Sequence, residues 1–309
     1  MELNGTRIED TFAEAFRMWA SRLIVTAADE RWLDHAVREV TGYGTSVIGC
    51  DAEAGLERRL TERQSPDGRV GAAVLFFAFN AKALGKAVPN RVGQCLMTCP
   101  TTAVYDGLPD VVAGEDSARL DLGGRLRFFG DGFQKSKVLI DDTSGGARRY
   151  WRVPVMDGEF VVEQSVGAVK AIGGGNLLMC GVTQREALAA AERAVAVIGP
   201  MEGVITPFPG GVVRSGSKVG SRYKALFAST NDAYCPTLRG GVKSPLCEGV
   251  GAVYEVVMDG LSQGAIEAAM RAGIEAAAGR GVVAIGAGNY GGELGRFHFR
   301  LHKVMKSCG

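Results

Sequence analysis

The sequence predicts an α/β protein of the α+β kind, built from two homologous ferredoxin-like lobes with inserted loops. The first observation is its length: 309 residues correspond to about two domains, and 46% hydrophobic residues can fill two cores. The second is that the two halves of the chain align with each other. The third is the order of the apolar segments in each half, β-α-β-β-α-β, which is the split βαβ plan.

The internal alignment has two blocks with different offsets. Leu23–Val25 aligns with Leu177–Met179, and further along Val70–Ala72 aligns with Val250–Ala252 at a larger offset. The second half therefore carries an insertion between the two blocks, and residues 207–237 lie inside it. An additional loop on one of two similar lobes is a natural place for a binding site.

The first lobe begins with a short apolar strand and a capped helix. Asp29 is a good N-cap residue, and the apolar residues after it recur at helical spacing. The predicted elements are, in order, a strand at Leu23–Val25, a helix from Asp29 to Val40, strands at Ser46–Ile48 and Val74–Phe77, a helix at Lys82–Val92 and a returning strand after Gly93.

The second lobe repeats this order with more helical sequences. Residues 185–197 are rich in alanine, and Gly199 with Pro200 ends that helix. Gln263–Ala278 predicts the second helix and Val282–Ile285 the returning strand.

A bridging region joins the two lobes. Within it, Arg125–Phe129 predicts an extra strand. Asp142–Gly146 is a polar, Gly-rich break, and we place the boundary there, so that the N-terminal lobe covers residues 1–145 and the C-terminal lobe residues 146–309.

Composition excludes several classes of function. A net charge of +1 argues against nucleic acid as a principal partner, because phosphate binding normally needs a basic surface. The sequence shows neither a signal peptide nor an apolar run of about 18 residues, so we expect a cytoplasmic protein without a membrane partner. The seven cysteines are scattered without a C-x-x-C pair, and with three histidines they predict neither a disulfide framework nor a metal site.

Two segments of the insertion carry the candidate binding groups. Pro207–Ser221 is rich in glycine, serine and basic residues, but it lacks the P-loop pattern, and Gly173–Gly175 does not open a helix as a Rossmann fingerprint would. Ser229–Thr237 is a polar loop. The predicted substrate-binding residues are Gly210, Gly211, Arg214, Ser215, Ser217, Lys218, Ser229, Thr230 and Asp232, and the predicted catalytic residues of the loop are Asn231 and Tyr234.

Glu255 is the carboxylate that the sequence singles out. It lies within the apolar strand Val253–Met258, where its repeat counterpart is Leu75. Burial on such a strand would raise the pKa of the carboxyl and let it carry a proton near neutrality. Alternatively, Glu255 points outward on an alternating strand, and the residues alone leave both interpretations open.

Segments spread over nearly the whole chain resemble one family. They are Asn4-Gly5, Ile8–Phe16, Thr41–Ile48, Gly93–Cys95, Phe128–Gly132, Phe208–Gly211, Ser229–Thr237 and Ala287–Gly292. The family is that of formylmethanofuran:tetrahydromethanopterin formyltransferase. The resemblance implies reversible transfer of a formyl group between methanofuran and N5 of tetrahydromethanopterin, with both carriers as substrates and no tightly bound cofactor. It also implies that the glutamate on this strand, Glu255, lies at the transfer centre.

The resemblance further implies a setting and partners. The balance of 35 basic and 34 acidic residues suits a mesophilic, low-salt host, and bacterial family members act in the oxidation of formaldehyde to formate. Family members are homotetramers, and the bacterial ones work with hydrolase subunits. We therefore expect a homo-oligomer that associates with such subunits.

Formyl transfer requires an unprotonated amine, stabilisation of negative charge on the carbonyl oxygen and protonation of the leaving nitrogen. Asn231, Asp232 and Tyr234 are placed to orient the amine or the pterin, and Ser229 or nearby amides to hold the oxyanion. A structural Asx-turn is the other interpretation of Asp232. Cys235 lacks a neighbouring base, so we do not expect a thioester. The alternative functions are a noncatalytic carrier-binding scaffold protein of a formyl hydrolase complex, or an oxidoreductase using flavin or nicotinamide.

Overall fold

The computed structural model describes residues 1–140, 147–216 and 218–306. Two predictions fall outside these ranges. They are the lobe boundary between residues 145 and 146, and the candidate site residue Ser217.

The helices and strands follow each other along the chain with few long interruptions. The strands are β1 (Glu2–Leu3), β2 (Thr6–Ile8), β3 (Phe12–Thr26), β4 (Glu53–Leu60), β5 (Gly71–Ala78), β6 (Ala103–Asp106), β7 (Ser117–Asp121), β8 (Lys135–Ile140), β9 (Ala147–Val155), β10 (Gly158–Glu163), β11 (Ser165–Gly181), β12 (Val204–Ile205), β13 (Lys218–Val219), β14 (Ala228–Ser229), β15 (Ala252–Gly260), β16 (Val282–Gly286) and β17 (Phe297–Arg300). The α-helices are α1 (Glu30–Thr41), α2 (Ala81–Arg91), α3 (Gly123–Leu126), α4 (Gln184–Ile198), α5 (Gln263–Ala277) and α6 (Leu301–Lys306).

The chain divides into two compact units that do not follow its order. One unit is Met18–Ala171, and the other combines Met1–Arg17 with the chain from Ile172 onward. Strands β3 and β11 each begin in one unit and end in the other. The boundary between residues 145 and 146 therefore remains a proposal about the internal repeat and is not where the compact units divide.

The unit Met18–Ala171 contains a ferredoxin-like core. Its strands lie in the order β4-β5-β3-β6, and each neighbouring pair is antiparallel. Helix α1 begins at its N-cap Asp29, whose side chain accepts a hydrogen bond from Trp32 N, as predicted. Leu23 and Val74 from the strands pack with Leu33 and Leu84 from the helices in one hydrophobic core. Alternate strand residues supply that core because successive side chains point to opposite faces.

The other unit repeats the same arrangement. Its strands lie in the order β12-β15-β11-β16, again antiparallel, and β2 extends the sheet by pairing in parallel with β16. Thr183 and Ser262 cap α4 and α5. Leu177 and Val256 pack against the alanine-rich faces of these helices. The prediction of two ferredoxin-like β-α-β-β-α-β lobes is confirmed.

The predicted insertion is also present. Residues 206–251 connect β12 to β15, whereas residues 61–70 connect β4 to β5 in the other unit. The long connection contains the hairpin of β13 and β14, in which Lys218 pairs with Ser229.

Two predicted strands are wrong because local hydrogen bonds form a turn in one segment and a helix in the other. Ser46–Ile48 is a turn closed by Gly49 N donating to Ser46 O, and Val47 N donates to the carboxylate of Glu53. Arg125–Phe129 is helical, and the guanidinium of Arg127 lies 4.5 Å from the centre of the Trp151 ring. A segment of three to five residues with two or three apolar side chains has strand propensity, but that propensity is weak without a partner strand.

The returning strand of the first lobe begins later than predicted. The chain after α2 continues into a π-helical turn, Val92–Leu96, and β6 starts only at Ala103.

Among the described residues, no helix is both long and apolar enough to cross a membrane.

Candidate active site

Glu255 lies on the face of its sheet opposite the helices. Val256 and Met258 of β15 point into the core with α4 and α5, so the alternate residues, including Glu255, point the other way. Glu255 pairs with Leu178 of β11, which in turn pairs with Gly286 of β16. The side chain is nevertheless buried, with 9% exposure.

The register of the strands corrects the repeat counterpart of Glu255. In the second lobe Glu255 pairs with Leu178, whose equivalent in the first lobe is Ile24. Ile24 pairs with Ala73, not with Leu75. The counterpart by register is therefore Ala73, which lies on the same face of its strand as Leu75 because the two are separated by two positions. The conclusion about the repeat is unchanged, because the first lobe has the apolar residue Ala73 at the position where the second lobe has Glu255.

Burial changes the chemistry of the Glu255 carboxyl. Its Oε2 has no hydrogen-bond partner among the described residues. Removal from water penalises the charged form and raises the pKa of Glu255 to about 7. The backbone is fixed on both sides, since Glu255 also exchanges two hydrogen bonds with Val213 of the insertion, at 2.7 and 3.0 Å. The result is a buried carboxyl on a firmly held backbone, and it can both accept and release a proton near neutral pH.

Tyr234 lines a cavity of about 130 Å³ in the same unit. The other lining residues are Glu9, Asp10, Thr11, Cys180, Pro245, Leu246, Cys247, Ala284 and Gly286. Burial, followed by the negative charges of nearby acidic groups that include Glu9 and Glu255, raises the pKa of Tyr234 to about 12. Tyr234 therefore stays a neutral hydrogen-bond donor, and it lies within electrostatic reach of Glu255.

The structure brings the two predicted loop segments together. Lys218 Nζ lies 2.8 Å from Asp232 Oδ1, and Thr230 Oγ1 donates to Ser215 O at 3.2 Å. Ser229 Oγ donates to the carbonyl of Gly220 at 2.9 Å. Since these groups bond to one another, the two segments form one structured surface.

Asp232 combines a structural bond with an ion pair. Its Oδ1 accepts a hydrogen bond from Ala233 N, in addition to the bond from Lys218. The hydrogen bond from Lys218, its charge and the neighbouring backbone amides hold the pKa of Asp232 below its ordinary value. Lys218 and Asp232 thus neutralise each other at the surface of the loop.

The remaining predicted residues have different environments. Arg214 and Gly210 are exposed, whereas Gly211 is buried and its N–H donates to Phe208 O at 2.7 Å. The carbonyl of Asn231 accepts from Tyr234 N at 3.0 Å and from the thiol of Cys235 at 3.4 Å. The Gly211 N–H is therefore engaged in its own turn, and its role in binding a ligand stays a prediction.

Three residues near Glu255 were not predicted from the sequence. Glu14 is 1% exposed, and its carboxylate accepts hydrogen bonds from backbone N–H groups of the segment that follows β16. Asn176 of β11 bonds both the N–H and the carbonyl of Gly288 in that segment. Tyr290 is half-buried, and burial followed by the charges of Glu255 and Glu14 raises its pKa. The sequence did contain one signal for Glu14: it is a charged residue between two apolar residues, Ala13 and Ala15.

The arrangement suits proton transfer in a site shielded from water. One carboxyl with a pKa near 7 lies within electrostatic reach of two neutral phenols, Tyr234 and Tyr290. Such a carboxyl can serve as a general base and then as a general acid, and phenols can donate to a developing oxyanion.

In a comparison with known proteins, each half of the chain matches a family model. The family model for formylmethanofuran-tetrahydromethanopterin formyltransferase matches residues 1–155, and the model for the proximal lobe of FTR matches residues 158–304. A formylmethanofuran–tetrahydromethanopterin formyltransferase of Methylobacillus flagellatus is 52% identical over 309 residues, covering 99% of this chain and 100% of the relative.

Two further similarities concern a bacterial assembly. One component of the formyltransferase/hydrolase complex of Methylorubrum extorquens is 49% identical over 309 residues, covering 98% of this chain and 97% of the relative. The solved structure of the Methylorubrum extorquens complex with methylofuran matches with a TM-score of 0.93 and 48% identity, covering 100% of this chain and 99% of that one. The chain therefore belongs to the formylmethanofuran–tetrahydromethanopterin formyltransferase family.

Proposed function

We propose that this protein transfers a formyl group reversibly between methanofuran and N5 of tetrahydromethanopterin. Family membership supports the reaction, and one observation in the structure supports the site. That observation is the buried carboxyl of Glu255, whose Oε2 has no hydrogen-bond partner among the described residues and whose pKa is about 7. A group with this pKa changes protonation state most readily at the pH of the cell.

The reaction breaks one N–H bond and one C–N bond and forms one bond of each kind. The lone pair of pterin N5 attacks the formyl carbon of formylmethanofuran, and the carbonyl π electrons move to the oxygen. Glu255 accepts the proton from N5. As the carbonyl re-forms, the bond to the methanofuran nitrogen breaks, and Glu255 returns the proton to that nitrogen. No oxidant or reductant is needed, and the carboxyl ends in its starting state.

Desolvation assists this sequence in two ways. It raises the basicity of the Glu255 carboxylate, and it strengthens hydrogen bonds to the developing oxyanion. Tyr234, held neutral by burial, is the donor of the insertion that lies within electrostatic reach of Glu255. We assign it, with Asn231, to orientation of the reacting amine.

The insertion supplies the groups that bind the carriers. Both carriers are polyanionic, and Arg214 is an exposed cation beside the ordered loop of Ser215, Lys218 and Thr230. We assign these residues, with Ser229, Asp232 and the Gly210 amide, to carrier binding. Methanofuran and tetrahydromethanopterin act as substrates, with no tightly bound cofactor.

We also propose an assembly for this chain. Its Methylorubrum extorquens relative is a component of a formyltransferase/hydrolase complex. By this likeness the chain forms a homotetramer that associates with hydrolase subunits in the cytoplasm, and it acts in the oxidation of formaldehyde to formate.

A formyl-exchange assay tests the proposal. The purified chain is mixed with formylmethanofuran and tetrahydromethanopterin, and formation of the formylated pterin is followed by absorbance, with a reaction lacking the chain as the control. We expect turnover in both directions from the chain alone. Tight binding of both carriers without turnover, even after addition of the partner subunits, would instead identify a noncatalytic scaffold protein.

A further inference from the structure

Glu14 is a buried anion whose oxygens are all engaged by main chain. Its Oε2 accepts from Tyr290 N at 2.6 Å and from Gly292 N at 2.9 Å, and its Oε1 accepts from Leu294 N at 2.6 Å and from Gly295 N at 2.5 Å. Burial alone would raise the pKa of Glu14, but these four donors lower it below the ordinary value. The Glu14 carboxylate thus stays charged and is hydrogen-bonded to four residues of one loop.

The backbone conformation of this loop depends on these four hydrogen bonds. Gly291 and Gly292 have φ values of +76° and +82°, a region that favours glycine. Successive N–H groups consequently turn toward one point, where an anion can bind them. At the start of the loop, Asn289 Nδ2 donates to Thr11 Oγ1 and to Phe12 O, both at 3.2 Å.

The loop leaves the sheet on the face that carries Glu255. Asn176 lies two positions before Leu178 on β11, so both side chains share the face of Glu255. Asn176 Oδ1 accepts from Gly288 N at 2.7 Å, which fixes the chain two residues before Tyr290. The Tyr290 ring then lies 6.3 Å from the Phe16 ring, centre to centre.

We propose that Tyr290 is a second catalytic residue beside Glu255, and that Glu14 is the positioning residue that holds Tyr290 there. The proposal rests on the proposed formyl transfer. Three geometric observations support it. They are the four hydrogen bonds to Glu14, the hydrogen bonds from Asn176 to Gly288, and the position of Asn176 on the sheet face that carries Glu255. The influence of the Glu255 charge on the Tyr290 phenol supports their proximity.

The role of Tyr290 is to donate a hydrogen bond to the formyl oxygen. When pterin N5 adds to the formyl carbon, the carbonyl oxygen takes up the electron pair, and the phenol O–H binds it more strongly than it binds the neutral carbonyl. The proton stays on the phenol because its pKa is raised. Proton transfer remains with Glu255, so the balance of the reaction is unchanged.

The first test removes one hydroxyl group. Tyr290→Phe should fold normally and lower kcat by about a hundredfold or more, with little change in the KM of either carrier, because one oxyanion donor is lost. Tyr254→Phe is the matched control: that phenol is on the neighbouring residue of Glu255, but it accepts a hydrogen bond from Gln184 of α4. It should keep wild-type kcat.

The second test removes the anion and returns it. Glu14→Ala deletes the fragment that corresponds to acetate and leaves the four N–H groups without their acceptor. We expect kcat to fall by about a hundredfold through misplacement of Tyr290, and added acetate to restore most of it, whereas neutral acetamide does not. Acetate should have no such effect on Tyr290→Phe.

The outcomes separate this proposal from the formyl transfer itself. If the wild type transfers formyl but Tyr290→Phe keeps its kcat, or changes KM alone, the role of Tyr290 is refuted and the proposed function stands. A folded Glu14→Ala variant that is fully active, or one that acetate does not rescue, refutes the positioning role. Should Glu14→Ala not fold, Glu14→Gln replaces it, and a fully active Glu14→Gln variant refutes the positioning role. Absence of transfer by the wild type would overturn the proposed function first.

Discussion

Burial gives the Glu255 carboxyl its chemistry at the scale of a single residue. An ordinary glutamate is ionised at pH 7, but here the loss of water raises the pKa to about 7. Glu14 shows the opposite result in the same unit, because four backbone donors lower its pKa despite burial. Two buried carboxyls of one unit thus differ in protonation because, within the described part of the chain, only Glu14 has donors for both oxygens.

Replacing Glu255 by glutamine should separate binding from catalysis. The amide keeps the shape of the side chain but cannot exchange a proton, so we expect Glu255→Gln to fold and bind both carriers. Turnover should fall by about a hundred- to ten-thousandfold, with the loss in kcat rather than KM. Cys235→Ser is the control and should be far milder. Steady-state formyl exchange checks this, and near-native turnover of Glu255→Gln across the pH range would remove the glutamate from the mechanism.

The same residue should make stability depend on pH in a defined direction. The folded pKa of about 7 exceeds the ordinary value of 4.5, so between these values the folded chain binds more protons than the unfolded chain. The stabilising contribution is fully present below pH 4.5 and is lost as pH rises through 7. It amounts to on the order of 3 kcal/mol for a shift of this size.

Urea unfolding at several pH values measures this contribution. From pH 5 to pH 8 the wild type should lose free energy of unfolding relative to Glu255→Gln. Glu275→Gln, on the exposed surface of α5, controls for the loss of one carboxyl group. Parallel curves for the wild type and Glu255→Gln would contradict the prediction.

At the scale of elements, the turn before β13 combines an exposed and a packed glycine. Gly210 and Gly211 both have positive φ, at +62° and +75°. A Cβ on Gly210 would meet no atom within 4 Å, but a Cβ on Gly211 would lie 2.7 Å from the side chains of Thr206 and Val195. Val195 belongs to α4, so Gly211 lets the insertion pack against that helix.

Alanine substitution of each glycine should therefore give unequal effects. Gly210→Ala should cost about 1–2 kcal/mol, the strain of a left-handed backbone with a Cβ. Gly211→Ala adds the displacement of packed side chains, which costs about 1–3 kcal/mol more. Chemical denaturation of the matched pair measures the difference. Equal destabilisation would show that Gly211 does not pack against α4 as described.

At the scale of the whole molecule, both ends of the chain belong to the same unit. The unit that contains most of the C-terminal half also requires Met1–Arg17. Ile8 from this segment is 1% exposed in the core of that unit, and Arg7 and Ile8 pair with β16. The unit Met18–Ala171 in turn takes Val162 and Val166 into its own core.

Separation of the chain between residues 145 and 146 should consequently leave two unstable fragments. The fragment 146–309 loses Ile8, whose burial contributes about 1.5–3 kcal/mol, together with the Glu14 carboxylate. The fragment 1–145 loses β10, which pairs with β6, and β9, which pairs with β8. Neither should unfold cooperatively by circular dichroism when alone, and mixing them should restore a transition. A cooperative transition in either isolated fragment would contradict this.

The sequence alone determined the repeated β-α-β-β-α-β order and the long insertion and singled out Glu255 as a candidate, because hydrophobic periodicity, capping residues such as Asp29 and an acid in an apolar strand are local signals. Only the tertiary structure decided the burial of Glu255, the pairing that makes Ala73 its counterpart, and the turn at Ser46–Ile48. It alone also revealed Glu14, which bonds to Tyr290 across 276 positions of sequence. Desolvation and long-range hydrogen bonds depend on which distant segments meet, and no local pattern encodes that.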